Sequence, residues 1–173
     1  NNGFLSSSGS IMKLARKSCN FTVKGEKGAF LTEHRRCVDS IIAYCNDYVY
    51  HGRLLPKKGN EVKYKSLPSK GYVHINSYSS PGKTGSRLNR AEAEAIVCWL
   101  ELEKDNLEKT YKKPIHEIVA VVTPFKAQEA EIRHQIQKIS GNEKYKDMII
   151  GTVHSLQGAQ CPIVLFSTVN SPE

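Results

Sequence analysis

Short apolar runs alternate along the chain with segments in which apolar residues recur every three to four positions. Residues 29–32, 72–75, 118–123, 148–152 and 163–169 read as strands. Val119, Ala120, Val121 and Val122 are continuous rather than alternating, as are Ile163, Val164, Leu165 and Phe166, the pattern of strands buried on both faces. Both runs are therefore expected at the centre of a sheet. Ile41, Ile42, Cys45, Tyr48 and Val49 recur at helical spacing behind the candidate caps Asp39 and Ser40, with Gly52 at the stop. They predict a helix of about 12 residues. Asn89 stands three residues before Glu92, a variant of the capping box, and opens a helix with Ala93, Ile96, Val97 and Leu100 on one face. A third helix over residues 126–139 follows directly on the strand that ends at Thr123-Pro124, with a proline near its entry where a missing donor costs little. The connectors are polar: residues 55–70, with five lysines and two prolines, read as an exposed basic loop, and residues 77–87 as a flexible Ser/Gly connector. Strands alternating with helices predict an α/β fold, a mostly parallel sheet covered by helices.

At 173 residues the chain is long enough for one sizeable core and short for a two-domain motor, so 1–173 is read as a single domain with its motif-bearing core over 28–169. The balance of 25 Lys and Arg against 17 Asp and Glu gives a formal charge of +8. That field favours polyanionic partners, nucleic acid first among them, although a lysine-rich solvated surface has the same composition. Five cysteines, odd in number and without a CxxC pair, indicate reduced, mostly buried thiols rather than a disulfide framework or a zinc site. The six histidines form no HxxxH pair, so no metal site is expected. Without a run of roughly 20 apolar residues or a signal-peptide pattern at residues 1–10, a cytoplasmic location without a membrane partner follows by default.

Gly82-Lys83-Thr84 ends like a phosphate-binding P-loop, but the position five residues before Gly82, where that loop needs its first glycine, is Ser77. The next helix also starts several residues too late for its N-terminus to face phosphates held by Lys83. Lacking its own P-loop and a magnesium-binding strand, the chain does not carry the apparatus that positions ATP and its metal. No GxGxxG follows any strand either, which leaves a dinucleotide enzyme without its fingerprint.

Three separated segments carry a resemblance. Gly151-Thr152-Val153-His154-Ser155-Leu156-Gln157-Gly158-Ala159-Gln160, followed by a strand, looks like motif V of superfamily 1 helicases. Leu31-Thr32-Glu33-His34-Arg35-Arg36-Cys37-Val38, then Tyr48, Tyr50, Gly52 and Leu54, resembles the Leu-x-x-Gln-Tyr-Arg-Met-His-Pro…Phe-Tyr-x-Gly-x-Leu pattern of the branch that includes the nonsense-mediated-decay helicases. Val121-Val122-Thr123-Pro124-Phe125-Lys126-Ala127-Gln128 resembles the family's Thr-Pro-Tyr/Phe-x-x-Gln junction, where a helix N-terminus would also favour an anion. Ser86-x-x-Asn89-x-x-Glu92-Ala93 matches a further recurrent helix opening, to which only a capping role is assigned.

The resemblance implies the second RecA-like domain of an ATP-dependent helicase or translocase. It makes Arg35 the arginine finger, with the neighbouring Arg36 left as the other candidate, puts Gln157, Gly158 and Gln160 at the interdomain ATP site, and gives Thr123, Pro124, Thr152, His154 and Ser155 contacts to nucleic acid. It further implies ATP with Mg2+ held mainly by an upstream N-terminal RecA-like domain of the same parent, and single-stranded DNA or RNA as partner, with a modest preference for DNA. The isolated piece would be inactive. Glu33, Cys37 and Val38 replace the family's Gln, His and Pro, and Gln160 replaces a glutamate that binds ribose. An ATPase-inactive module that only holds nucleic acid is the alternative. The family pattern continues with motif VI, an arginine-bearing helix, so the chain is expected to be part of a longer protein.

Overall fold

A computed structural model describes residues 11–23, 26–82, 85–141, 143–156, 158 and 160–169. Where the sequence reads as one domain, the contacts group the chain into two compact units, Asn1–Glu61 and Val62–Glu173.

The first unit opens with α1 (Ile11–Ser18) and an antiparallel pair, β1 (Thr22–Val23) with β2 (Glu26–Lys27). A small β-α-β unit follows: β3 (Glu33–His34), α2 (Asp39–Tyr48) and β4 (Leu55–Pro56), with β3 and β4 parallel and Glu33 opposite Leu55. The strand expected at 29–32 thus lies at Glu33–His34. Its neighbour decides this: β4 aligns its polar backbone with Thr32 and His34, whose carbonyls accept from Leu55 N (2.8 Å) and Lys57 N (2.9 Å). α2 is slightly shorter than expected, at 10 residues, and neither candidate cap serves it from the N-cap position, which is Val38. Its first turn is satisfied from the loop beyond β4 instead. Asn60 Oδ1 accepts from Ser40 N (2.8 Å), and the Asp39 carboxylate accepts from Gly59 N (3.0 Å). The chain leaves the helix through His51 and Gly52, both at positive φ, where glycine carries no steric cost. Asn46 closes the unit by pairing both its amide groups with the backbone of Leu54. Val38, Ile42 and Leu54 are its buried apolar residues.

The second unit carries β5 (Ser80–Pro81) and β6 (Arg87–Leu88), then α3 (Arg90–Tyr111), α4 (Ile115–Ile118), β7 (Val119–Val122), α5 (Lys126–Ser140), β8 (Ile150–Gly151), a 3-10 turn (Val153–Leu156) and β9 (Ile163–Phe166). β8, β7 and β9 form a parallel sheet in that order, with β7 in the middle and buried along its whole length. The α/β parallel-sheet expectation is met. Asn89 caps α3 as the sequence indicates, its Oδ1 accepting from Glu92 N (3.1 Å). Ala93, Val97 and Leu100 are fully buried and pack with Ile132 and Ile136 of α5 and Val119 and Val121 of β7. At about 25 cal/mol per Å2 of apolar surface, each fully buried Val, Leu or Ile contributes about 1.5–3 kcal/mol toward this core.

Several expectations are corrected. β9 lies at the edge of the described sheet, with Val164 and Phe166 exposed, because only its Ile163/Leu165 face meets the core. Residues 72–75 carry strand propensity but pair with no described strand, and Tyr72 and Val73 are solvent-exposed; propensity without a neighbouring edge makes no strand. Within the stretch 77–87, read as a flexible connector, Ser80–Pro81 pairs antiparallel with Arg87–Leu88, while residues 83 and 84 lie outside the described residues. The basic loop 55–70 is anchored, since Tyr64 is buried and its hydroxyl donates to Glu103. All five cysteines are free thiols, but none is fully buried and Cys98 is exposed on α3. No described helix is long and apolar enough to cross a membrane.

Candidate nucleotide and nucleic-acid site

In the second unit the three parallel strands end together. Thr123 N donates to Gly151 O (3.1 Å) and Ser167 N to Val122 O (2.8 Å), so the residues following β7, β8 and β9 share one edge. In open α/β sheets ligands bind outside this carboxyl edge. Pro124, Thr152, His154 and Ser155 are all on it, with Pro124, His154 and Ser155 exposed and Thr152 half-buried.

The turn after β8 is tightly built. Ser155 N (2.9 Å) and Ser155 Oγ (2.6 Å) both donate to Thr152 O, closing the 3-10 turn that presents His154. A Cβ on Gly151 would stand where Ser155 Oγ lies, so a side chain here displaces the Ser155 hydroxyl from Thr152 O. Arg133 on α5 donates to Ile150 O (2.6 Å) and pairs with Glu129, which fixes the end of β8 from behind. Gly158 is exposed and at φ +91°, and Gln160 is exposed. Gln157 lies outside the described residues, as do Lys83 and Thr84 of the P-loop look-alike.

Thr123, expected to approach phosphate, lies inside the junction. It has no exposed surface, and its hydroxyl accepts from Phe125 N (3.3 Å), so it shapes the β7–α5 junction rather than meeting solvent. The α5 N-terminus is also less open to an anion than the sequence implies. Ser86 Oγ accepts from Ala127 N (3.3 Å), and a Cβ on Gly82 would stand 2.8 Å from Ala127 Cβ, so the β5–β6 hairpin sits against this turn.

A buried polar network behind this edge escaped the sequence. Gln128, fully buried, accepts from Asn89 N (2.7 Å) and donates to Asn89 O (3.0 Å) and Ser167 Oγ (2.9 Å). Ser167 Oγ in turn donates to Glu92 (2.6 Å), which also accepts from Val169 N (3.1 Å), and Asn89 Nδ2 donates to Ser77 Oγ (2.8 Å). The two polar motifs read separately, Ser-x-x-Asn-x-x-Glu and Thr-Pro-Phe-x-x-Gln, thus meet around one glutamine at the end of β9. An apolar helix face interrupted by Gln128 was the one available signal.

In the first unit, parallel pairing of β3 and β4 gathers charges that are distant in sequence. Arg35 and Arg36 follow β3, Lys57 and Lys58 follow β4, and Lys58 Nζ donates to Arg36 O (2.8 Å). Read only as a basic loop, Lys57 and Lys58 were not assigned to this group. Arg35 is exposed, and its Nε (3.1 Å) and Nη2 (2.8 Å) both donate to one carboxylate oxygen of Glu33. The Arg35 hydrogen bond and charge, with Lys57 behind them, hold the Glu33 carboxyl below its usual range. The turn presenting the arginines is closed by His34 and Cys37. Cys37 N can only donate, so His34 Nε2 is the acceptor (3.2 Å), and the thiol at 3.0 Å donates to the same nitrogen. Burial pushes the Cys37 thiol up and keeps it protonated for that bond.

No group of three or more His, Cys, Asp or Glu side chains among the described residues stands ready to hold a metal ion. A family model described as an AAA domain matches residues 10–173. The chain is also 24% identical over 147 residues to a probable helicase with zinc finger domain from Danio rerio, across 82% of this chain and 7% of that protein.

Proposed function

Because the chain belongs to the AAA domain family and is a superfamily 1 helicase-like domain, we propose that it serves as the second motor domain of an ATP-dependent helicase or translocase. The observation that carries this reading is the shared carboxyl edge, where the Thr123-Pro124 junction and the Thr152–Ser155 turn stand side by side across two hydrogen-bonded strands. Residues that follow adjacent parallel strands share one edge in any α/β sheet, and this is the edge outside which ligands of such folds bind; the exposed hydroxyl and backbone groups of the Thr152–Ser155 turn give it donors suited to phosphate.

In this reading a single strand of DNA or RNA lies on Pro124, Thr152, His154 and Ser155. Hydroxyl and backbone groups there grip its phosphates without reading bases. Gln157, Gly158 and Gln160 border the nucleotide, and the glycine lets the backbone come close. ATP and Mg2+ are held mainly by an upstream RecA-like domain of the parent. The Arg35-Arg36 pair supplies the finger: both are exposed, and the pattern's arginine counted from Leu31 falls on Arg36, beside the first candidate Arg35. A planar guanidinium there donates to γ-phosphate oxygens and stabilises the charge that spreads over them during transfer.

The test is ATP hydrolysis by the full-length parent with and without a single-stranded oligonucleotide, wild type against Arg35→Ala and Arg36→Ala. Stimulated turnover that falls by about 10³-fold or more in one of the variants is the expected result for a finger. Unchanged turnover in both would falsify the assignment. A second reading, a parent that binds nucleic acid without hydrolysing ATP, is favoured by the carboxylate already bonded to Arg35 and by the uncharged Gln160. Oligonucleotide binding with no turnover at all is its signature.

A further inference from the structure

Among the described residues, His51, Lys112 and Val169 stand at positive φ without being glycine. His51 and Lys112 lie just beyond α2 and α3, and helix ends commonly turn through this conformation. Val169 follows a strand instead. It is β-branched, fully buried and at φ +58°, where such a side chain crowds its own backbone. Strain of this kind persists only where the surroundings enforce it, and it gathers at sites that bind or act. Here one carboxylate oxygen enforces it: Glu92 Oε2 accepts from Val169 N (3.1 Å) and from Ser167 Oγ (2.6 Å). Between these two anchored residues Thr168 is exposed.

The turn also stands where a ligand of this sheet would meet it. Phe166 is opposite Val122, so Thr168 lies as far beyond β9 as Pro124 lies beyond β7, on the same carboxyl edge. We propose that Thr168 is a further contact of this edge with the phosphate backbone of a bound single strand, and that Glu92 is the positioning residue that holds it in place. The proposal rests on the reading of the edge above and extends it to the end of β9, to which that reading gives no role. A threonine hydroxyl donates to a phosphate oxygen without reading bases. Pinning the residues on both sides of Thr168 lowers the cost of ordering that contact. Gln128, itself fully buried, donates to Ser167 Oγ (2.9 Å) and braces the turn from α5.

Oligonucleotide affinity of the full-length parent, read by fluorescence anisotropy at one fixed salt concentration, tests both roles. Thr168→Val keeps the shape of the side chain and removes the hydroxyl; it is expected to weaken binding roughly three- to tenfold, the range of one exchanged hydrogen bond. Glu92→Asp keeps the charge and withdraws the oxygen by one methylene, whereas Glu92→Gln keeps an oxygen at full reach and loses the charge. Reach is the expected determinant. Glu92→Asp weakens binding by a similar factor, while Glu92→Gln recovers wild-type affinity or exceeds it, because a lost carboxylate favours a polyanion. Thr168→Val added to Glu92→Asp then costs little more, whereas a merely structural Glu92 leaves the two losses additive. Unchanged affinity in Thr168→Val overturns the contact. Additive losses, or equal weakening by Glu92→Asp and Glu92→Gln, overturn the positioning role. A wild-type parent that binds no single strand overturns the edge reading itself, and the contact with it.

Discussion

Gln128 shows what one side chain can decide. It has no solvent contact, and its amide offers one acceptor and two donors, all three in use between Asn89 and Ser167. Truncation to Ala leaves Asn89 N stranded inside the core, at about 1–3 kcal/mol, removes one bond each from Asn89 O, which keeps Ala93 N, and from Ser167 Oγ, which keeps Glu92, and opens a cavity where the side chain stood. Gln128→Ala is therefore expected to lower unfolding free energy by about 3 kcal/mol or more in urea titration, well above the cost of an exposed helix substitution. Loss below about 1 kcal/mol would show that water takes over these bonds. The sequence revealed the residue types at this site without revealing their geometry. Asn89 as a cap was legible, because capping is local and obeys a fixed spacing. Glu92 was not: it forgoes the reciprocal bond of a capping box and reaches the chain beyond β9, about 75 residues later. The burial of Thr123 was not legible either, since it depends on how the β7–α5 junction packs.

Among the elements, α5 was readable to within a residue and α3 at its capped start, because each carries its own periodicity and N-terminal punctuation, while the end of α3 at Tyr111 carried no such signal. The short strands were not, since a strand's limits are set by the neighbour it meets. The junction from α3 into β7 depends on one carboxylate. Glu108 accepts from Lys104 Nζ (2.8 Å) one turn before it and from Ile115 N (2.8 Å) at the start of α4, tying the end of α3 to the short helix that leads into the central strand. Burial works to raise Glu108, but the Lys104 ammonium and the Ile115 amide outweigh it and hold the carboxyl below its ordinary value of 4.5. A carboxyl depressed in the folded state contributes stability above its unfolded pKa and loses it as pH falls through the folded value. The Glu108→Gln variant should thus be less stable than wild type at pH 7, with the two converging as acid titrates below about pH 4. Chemical denaturation at pH 7 and pH 3 reads this directly, and a difference that persists unchanged at pH 3 would exclude the charge as its source. Lys104 is raised by the same partner, so its share is present below the ordinary lysine value and fades only in strong alkali.

For the molecule as a whole, a formal charge of +8 means that binding to a single strand must release counterions. Log affinity for an oligonucleotide should fall linearly with log salt, at a slope of about −0.7 for every phosphate neutralised. Fluorescence anisotropy across a salt series measures it, and a slope near zero would mean that the excess lysine serves solubility alone. Order of elements and sheet class were legible because alternation of strand and helix is a global pattern that survives local errors. The division into two compact units was not, because the intervening residues 57–70 read as one loop whichever unit holds them.

The place of β7 in its sheet also sets the order in which the second unit can be assembled. Val121 pairs with Ile150 and Leu165, about 30 and about 45 residues further along the chain. A ribosome releasing the chain from the N-terminus delivers Val-Ala-Val-Val first and both neighbours much later. Until then the most apolar strand of this unit is a ribbon with two open edges, screened only by packing of α3 and, once synthesised, α5. Non-local parallel pairing is slow to form, so the folding of this unit is expected to be limited by arrival of β8 and β9.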